Sequence, residues 1–196
     1  MNSTMPFLYR LVIAAAMVTT GWFNCFGFVE VSSAQVTTLQ ELDIQVRRQV
    51  DKGGETITQT TRGLHRIVLL LHDEWPQLGG WGKLLAWTVS VFELLAGVLL
   101  FVGLFSRLSA FVVCVILGMA LYLVSYKING MFTMNPFDWP LHKEAFAQLF
   151  TEMSLIVLAF AIVVGGPGCL SIDRFRASSL AETRISSVKR PKRGDD

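Results

Sequence analysis

Long apolar stretches alternate with polar interruptions along this chain, and four of the stretches come near the roughly 20 residues that cross a bilayer as helix. They run from Pro6 to Val29, Leu84 to Phe105, Leu108 to Tyr126 and Ala145 to Gly166. The pattern predicts an all-α integral membrane protein, a four-transmembrane-helix bundle whose long outer loop carries an amphipathic helix. It divides the chain into a first span (1–29), the outer loop (30–83), spans two to four with a closing turn (84–173) and a basic tail (174–196). The first stretch also offers small residues, Ser32 and Ala34, where a secretory signal would be cut. Its length, Arg10 inside it and Glu30 after it favour an uncleaved span instead.

The loop is longer than the two to eight residues that usually join bundle helices, so it should carry structure or a job. "TLQELDIQVRRQV" opens on a capping-box pattern, Thr38 and Glu41, and sets Leu39, Leu42, Val46 and Val50 on one helical stripe. That reads as an amphipathic helix lying on the bilayer or the bundle, with a docking surface as the alternative. After "DKGGETITQTT", the apolar centre of "LHRIVLLLH" is too short to span and predicts an interfacial segment. His65 and His72 would share a helical face there. Without a third ligand they read as ordinary interfacial histidines, and no metal site is expected.

Composition sharpens the class. Of 196 residues 52% are hydrophobic and only 16% charged, against about 25% charged in a soluble domain. No separate soluble domain and no nucleic-acid-binding face is expected. The tail holds Arg174, Arg176, Arg184, Lys189, Arg190, Lys192 and Arg193 against few acids, which by the positive-inside rule makes it cytoplasmic and attracted to anionic lipid. Four spans then put the N-terminus inside too, and the loop outside. Trp22, Trp75, Trp81, Trp87 and Trp139 all fall at one membrane face in this arrangement, as interfacial indoles do. Cys25 falls at the face opposite Cys114 and Cys169, so a disulfide or thiol relay is not expected.

Two acids interrupt the apolar pattern. A charge at mid-bilayer costs about 2.5 to 3.5 kcal/mol on insertion scales, so Glu93 in span two and Glu152 in span four should face the bundle interior. Small residues support this on span two, where Ala86, Glu93 and Gly97 share a face. On span four Ala145, Gln148, Glu152 and Ala159 form a comparable stripe. With Asn24 from span one and Tyr122 from span three, these residues predict a shared polar pocket in the outer half of the bundle. A carboxyl kept neutral there could donate a hydrogen bond or move a proton; locking helix packing is the competing role. Arg107 and Arg10, near inner span ends, read as structural or interfacial anchors. Gly165, Gly166, Pro167 and Gly168 should end the fourth helix, with Ser171 and Asp173 pinning the turn beneath it.

These residues carry a resemblance. "ELLAGVLLFVGLFSRLSA", with Glu93, Gly97, Gly103, Leu104 and Arg107 in register, resembles the central signature of the DoxX family, and "GGPGCLSIDR" is similar to its closing motif. Arg10 and Gly21 fit the family's first helix, while Asn24 stands near where a lysine is usual. The resemblance implies a small four-helix protein of the bacterial inner membrane, related to the small subunit of thiosulfate:quinone oxidoreductase or to complexes that handle thiol and oxidative stress. Quinone is then the implied small-molecule partner, with no intrinsic cofactor, and electrons would come from a redox partner subunit. Any catalysis would be that of an oxidoreductase subunit. Two other classes stay open: a non-catalytic scaffold whose loop recruits a partner, and a small carrier or channel. The oligomeric state is not legible.

Overall fold

The computed structural model describes residues 4–50, 57–166, 168, 171 and 172. Among these residues four helices are long and apolar enough to cross a membrane. They are α1 (Thr4–Phe26), α4 (Trp81–Val102), α5 (Ser106–Ala120) with its π-helical continuation Leu121–Ile128, and α6 (Lys143–Gly165). Each begins and ends within a few residues of the limits its hydropathy predicts, and the four-span bundle stands. Packing follows a ring: α1 lies chiefly on α4, α4 on α5, α5 on α6, and α6 returns to α1. Inside it Ile13, Met17, Leu100, Val113 and Ile162 are almost wholly buried. Outside, Phe92, Phe101, Phe150 and Phe160 are exposed, the inverted surface of a protein whose solvent is lipid.

The segment between α1 and α4 departs from expectation. It is a small folded cap with two helices, α2 (Ser33–Glu41) and α3 (Leu64–Glu74), and an antiparallel sheet in the order β1-β3-β2. Strand β1 spans Phe28–Glu30, β2 Arg47–Val50 and β3 Ile57–Arg62. The helix expected from Thr38 onward begins earlier, because Ser32 and Gln35 rather than Thr38 and Glu41 form the capping box. The Ser32 hydroxyl accepts from the Gln35 amide, and the Gln35 side chain accepts from the Ser32 amide at 3.0 Å. It also stops early, since Asp43 turns into the left-handed region at φ 55° and reverses the chain. Arg47–Val50 then pairs with the threonine-rich β3, whose branched side chains suit a strand. Val46 and Val50 therefore lie outside the helix. The short apolar segment is a helix, as expected; its Leu64, Val68 and Leu69 join Leu39, Ile44 and Ala86 in a second core that seats the cap on α4.

Where α1 crosses α4 the backbones nearly touch. A Cβ placed on Gly21 would come within 2.7 Å of the Leu94 amide nitrogen, and one on Gly97 within 2.9 Å of the Val18 amide nitrogen. Two glycines, one from each helix, thus set the separation, in the manner of small-residue contacts between membrane helices.

The end opposite the cap is closed by arginines. Helix α4 stops at Gly103, left-handed at φ 76°, with the Leu104 amide donating back to the Leu99 carbonyl at 3.0 Å. Arg10 donates through Nε to the Leu100 carbonyl at 3.1 Å, so its cation meets the negative end of α4. It is 2% exposed and does not snorkel to the interface; the anchor is internal, because the Leu100 carbonyl at the end of α4 and the ring of Phe7, 5.8 Å away, accept it there. A side chain at position 103 would strike its guanidinium. The Ser171 hydroxyl donates to the Gly103 carbonyl at 3.0 Å, pinning the turn as the closing motif suggests. Arg107 is exposed and its guanidinium lies against Gly166, where α6 ends. Gly168 is left-handed at φ 80°. Pro167, Cys169, Asp173 and the basic tail lie outside the described residues.

Gly21→Ala should lower the thermal midpoint of the detergent-solubilised protein, by a loss of about 1 to 3 kcal/mol typical of overpacking. Gly118→Ala, which meets open space, should leave the midpoint unchanged or raised.

Candidate functional site

Both intramembrane acids are buried, at 7% exposure each. Span α4 starts three residues before its expected limit, so Glu93 stands near its middle. The glycine contacts bring α1 close enough for two of its side chains to reach the carboxyl. Asn24 donates through Nδ2 to Glu93 Oε2 at 2.9 Å, and the Thr20 hydroxyl donates to Oε1. Thr20 and Asn24 are four apart, one helical turn, and so grip the carboxyl from above and below. Gly97, one turn further along α4, is part of the seam itself.

Glu152 is held by different elements. The Ser125 hydroxyl, from the π-helical segment, donates to Oε2 at 2.7 Å, and Gln148, one turn earlier on α6, donates to Oε1 at 3.0 Å. The hydrogen bonds thus assign Glu93 to the α1/α4 seam and Glu152 to the α5/α6 seam. Among the described residues no hydrogen bond joins the two sets. Of the expected pocket residues, Asn24 and Gly97 belong with Glu93 and Gln148 with Glu152.

Tyr122 belongs to neither. It stacks on Tyr126 at 5.7 Å between ring centroids, and both line an open cleft of about 520 Å³ with Leu121, Lys127 and Phe132. Lys127 forms an ion pair at 2.8 Å with Glu74, at the end of α3, and lies over the Tyr122 ring. The π-helical ladder governs this layout. Its wider turn points Ser125 into the bundle while Tyr122 and Tyr126 face outward.

The chemistry available follows from the partners. Each carboxyl has two neutral donors, one of which is itself exposed on the side of the bundle: Thr20 for Glu93, Gln148 for Glu152. Each acid is therefore one side chain away from the lipid-facing surface. Sequence reasoning found the acids, Asn24 and Gln148, but missed Thr20 and Ser125. The signal for Thr20 was its spacing from Asn24; Ser125 could not be aligned with Glu152 without knowing that span three ends in π geometry.

His65 is buried in the cap, paired with the Thr61 hydroxyl through Nδ1. His72 is half-buried, and no cluster of three or more metal-ligating side chains exists among the described residues. Burial, helped by Lys83 and Arg62, pushes the His65 imidazole below its ordinary range.

The family model for DoxX matches residues 53–126. Over this stretch the chain is similar to DoxX. The matched residues take in β3, α3, α4 and most of span three, and so include Glu93, Gly97, Gly103, Arg107, Tyr122 and Ser125. Glu152, Thr20 and Asn24 lie outside them, as does the closing motif that carried part of the resemblance. No curated protein and no solved structure matches the chain. The Glu93 carboxyl is thus supplied by the matched DoxX segment, whereas both of its donors come from the preceding helix.

A pH dependence follows from His65. Below about pH 6.5 the unfolded chain protonates this imidazole while the folded cap resists, so the unfolded state takes up more protons and stability falls as pH drops. Thermal unfolding followed between pH 7.5 and 5.5 should show this loss, and His65→Asn should flatten it.

Proposed function

We propose that this DoxX-family membrane protein is a subunit or auxiliary of a quinone-linked redox complex, in which Glu93 and Glu152 exchange protons or hydrogen bonds with a quinone dissolved in the bilayer. The observation that carries the reading is the setting of the two acids: buried in the spans, each bonded to two neutral donors, each with one donor exposed at the bundle's side. An acid retained there against the cost of desolvation is the common mark of proton or ligand pathways in membrane proteins.

The residues present fit the ligand. A quinone supplies two-electron, two-proton chemistry at carbonyl oxygens, and those oxygens need donors that can be reached from lipid. On the α1/α4 side the Thr20 hydroxyl and Asn24 amide would orient a carbonyl, and Glu93 would hold the proton. On the α5/α6 side Gln148 and Glu152 would do the same. Electrons would come from a redox partner subunit. The setting is the bacterial cytoplasmic membrane, with both termini cytoplasmic and the cap outside, an orientation supported by the basic tail.

A second reading, a scaffold that recruits a partner through the cap, is favoured by one finding. The segment between α1 and α4 is a folded unit with its own core, more than a connection needs.

Glu93→Gln and Glu152→Gln keep shape and remove ionisation. In complex purified from native membranes, each should assemble fully and lose quinone-dependent turnover by about 100-fold or more, the scale of a general acid or base. Full assembly with full turnover in both variants would leave the acids as packing residues. A stoichiometric partner with no redox change would favour the scaffold, and cation flux in proteoliposomes a carrier.

A further inference from the structure

The cap sheet lays two arginines on one face. In the β-ladder Phe28 stands opposite Arg62, while Glu30 and Arg47 stand on either side of Thr60. Cross-strand partners, and residues two apart along a strand, point the same way. Arg47 and Arg62 are therefore diagonal neighbours on adjacent strands, about 7 to 8 Å apart at Cα. Arg48, opposite Gln59, is on the other face.

Each of the two guanidinium groups lies over an aromatic ring: Arg47 over Phe28 at 5.1 Å, Arg62 over Trp87 at 5.6 Å. A cation–π contact occupies none of a guanidinium's forked N–H donors in a hydrogen bond to an acid, so they are available to an anion. Yet among the described residues no carboxylate pairs with either guanidinium. Among the described residues the one ion pair is Lys127 with Glu74, and Glu30, on the same face, stays beyond ion-pair distance of both arginines. Two exposed like charges held on one face of a sheet repel each other, and an anion between them turns that repulsion into attraction.

Their position says which anion. Phe28 is two residues past the end of α1, and Trp87 is in the second turn of α4, so both rings stand where the membrane-spanning helices leave the hydrocarbon. Trp22 and Phe26, in tilted ring contact at 4.5 Å between centroids and both exposed, mark the same level on α1. A cation resting on an interfacial aromatic ring at this depth faces the phosphates of the surrounding leaflet.

We propose that Arg47 and Arg62, on their Phe28 and Trp87 platforms, bind the headgroup phosphate of an anionic phospholipid in the leaflet on the cap side. The lipid then seals the cap-side mouth of the α1/α4 seam and ties the sheet to the bilayer.

The test uses the full chain in nanodiscs of phosphatidylcholine, alone or with one quarter phosphatidylglycerol, and counts retained lipids by native mass spectrometry after release. Wild type should retain phosphatidylglycerol at least fivefold over phosphatidylcholine, with a higher thermal midpoint in the mixed discs. R47Q/R62Q should lose both effects, and R48Q, which removes one charge from the opposite face, should keep them. If the double variant does not fold, R47Q and R62Q alone should each lower the preference at unchanged helical content. No preference in wild type, full preference in the arginine variants, or an equal loss in R48Q overturns the proposal. So does an acidic protein that co-purifies through the two arginines without any lipid preference.

Discussion

The contact between α1 and α4 through Gly21 and Gly97 is the constraint on which the rest depends. In lipid there is no hydrophobic force to press helices together, so close approach must be made by small residues and by polar bonds across the seam. Here the two work in sequence: the glycines bring the backbones into contact, and that proximity lets Thr20 and Asn24 reach a carboxyl on the facing helix. Side chains at both glycine positions would hold the helices apart and leave Glu93 buried without its donors, which is worse than either loss alone. The same crossing carries the cap, because β1 leaves directly from α1 and α3 seats on α4.

The spans were legible because the requirement for about 20 apolar residues leaves little freedom, and the inward turn of Glu93 and Glu152 was legible from the cost of their charge. Two things were not. The sheet in the cap depends on pairing β3 with β2, a segment whose local pattern fits a helix about as well; tertiary partners decided the matter. The division of the acids between two seams depends on which helices are neighbours in the ring. Equal depth on parallel helices suggested one pocket, but α4 and α6 each pack mainly on α1 and α5 rather than on each other. Arg10 shows the same limit. A cation near a span end reads as a snorkelling residue until the carbonyls of α4 are seen to lie within its reach.

The paired seams give the bundle a rough internal likeness. In each, a glutamate accepts from a hydroxyl and from an amide, with a hydroxyl supplied by the facing helix. They differ in what lies nearby. The Glu93 seam is bounded by glycines and lies within the same helix pair as the arginine-bearing sheet. The Glu152 seam is bounded by a π-helical wall whose other side is the tyrosine cleft.

That wall has a consequence for how the domain can vary. A π-turn accommodates one more residue than the same stretch of α-helix without lengthening it, so the faces before and after Leu121–Ile128 are out of phase with a continuous helix by about 100°. Loss of a single residue in this segment would rewind it, and Ser125 and Lys127 could not both keep their present partners. The link from Glu152 inside the bundle to Glu74 in the cap therefore rests on chain length within one stretch of eight residues, a register held by an insertion rather than by any one side chain.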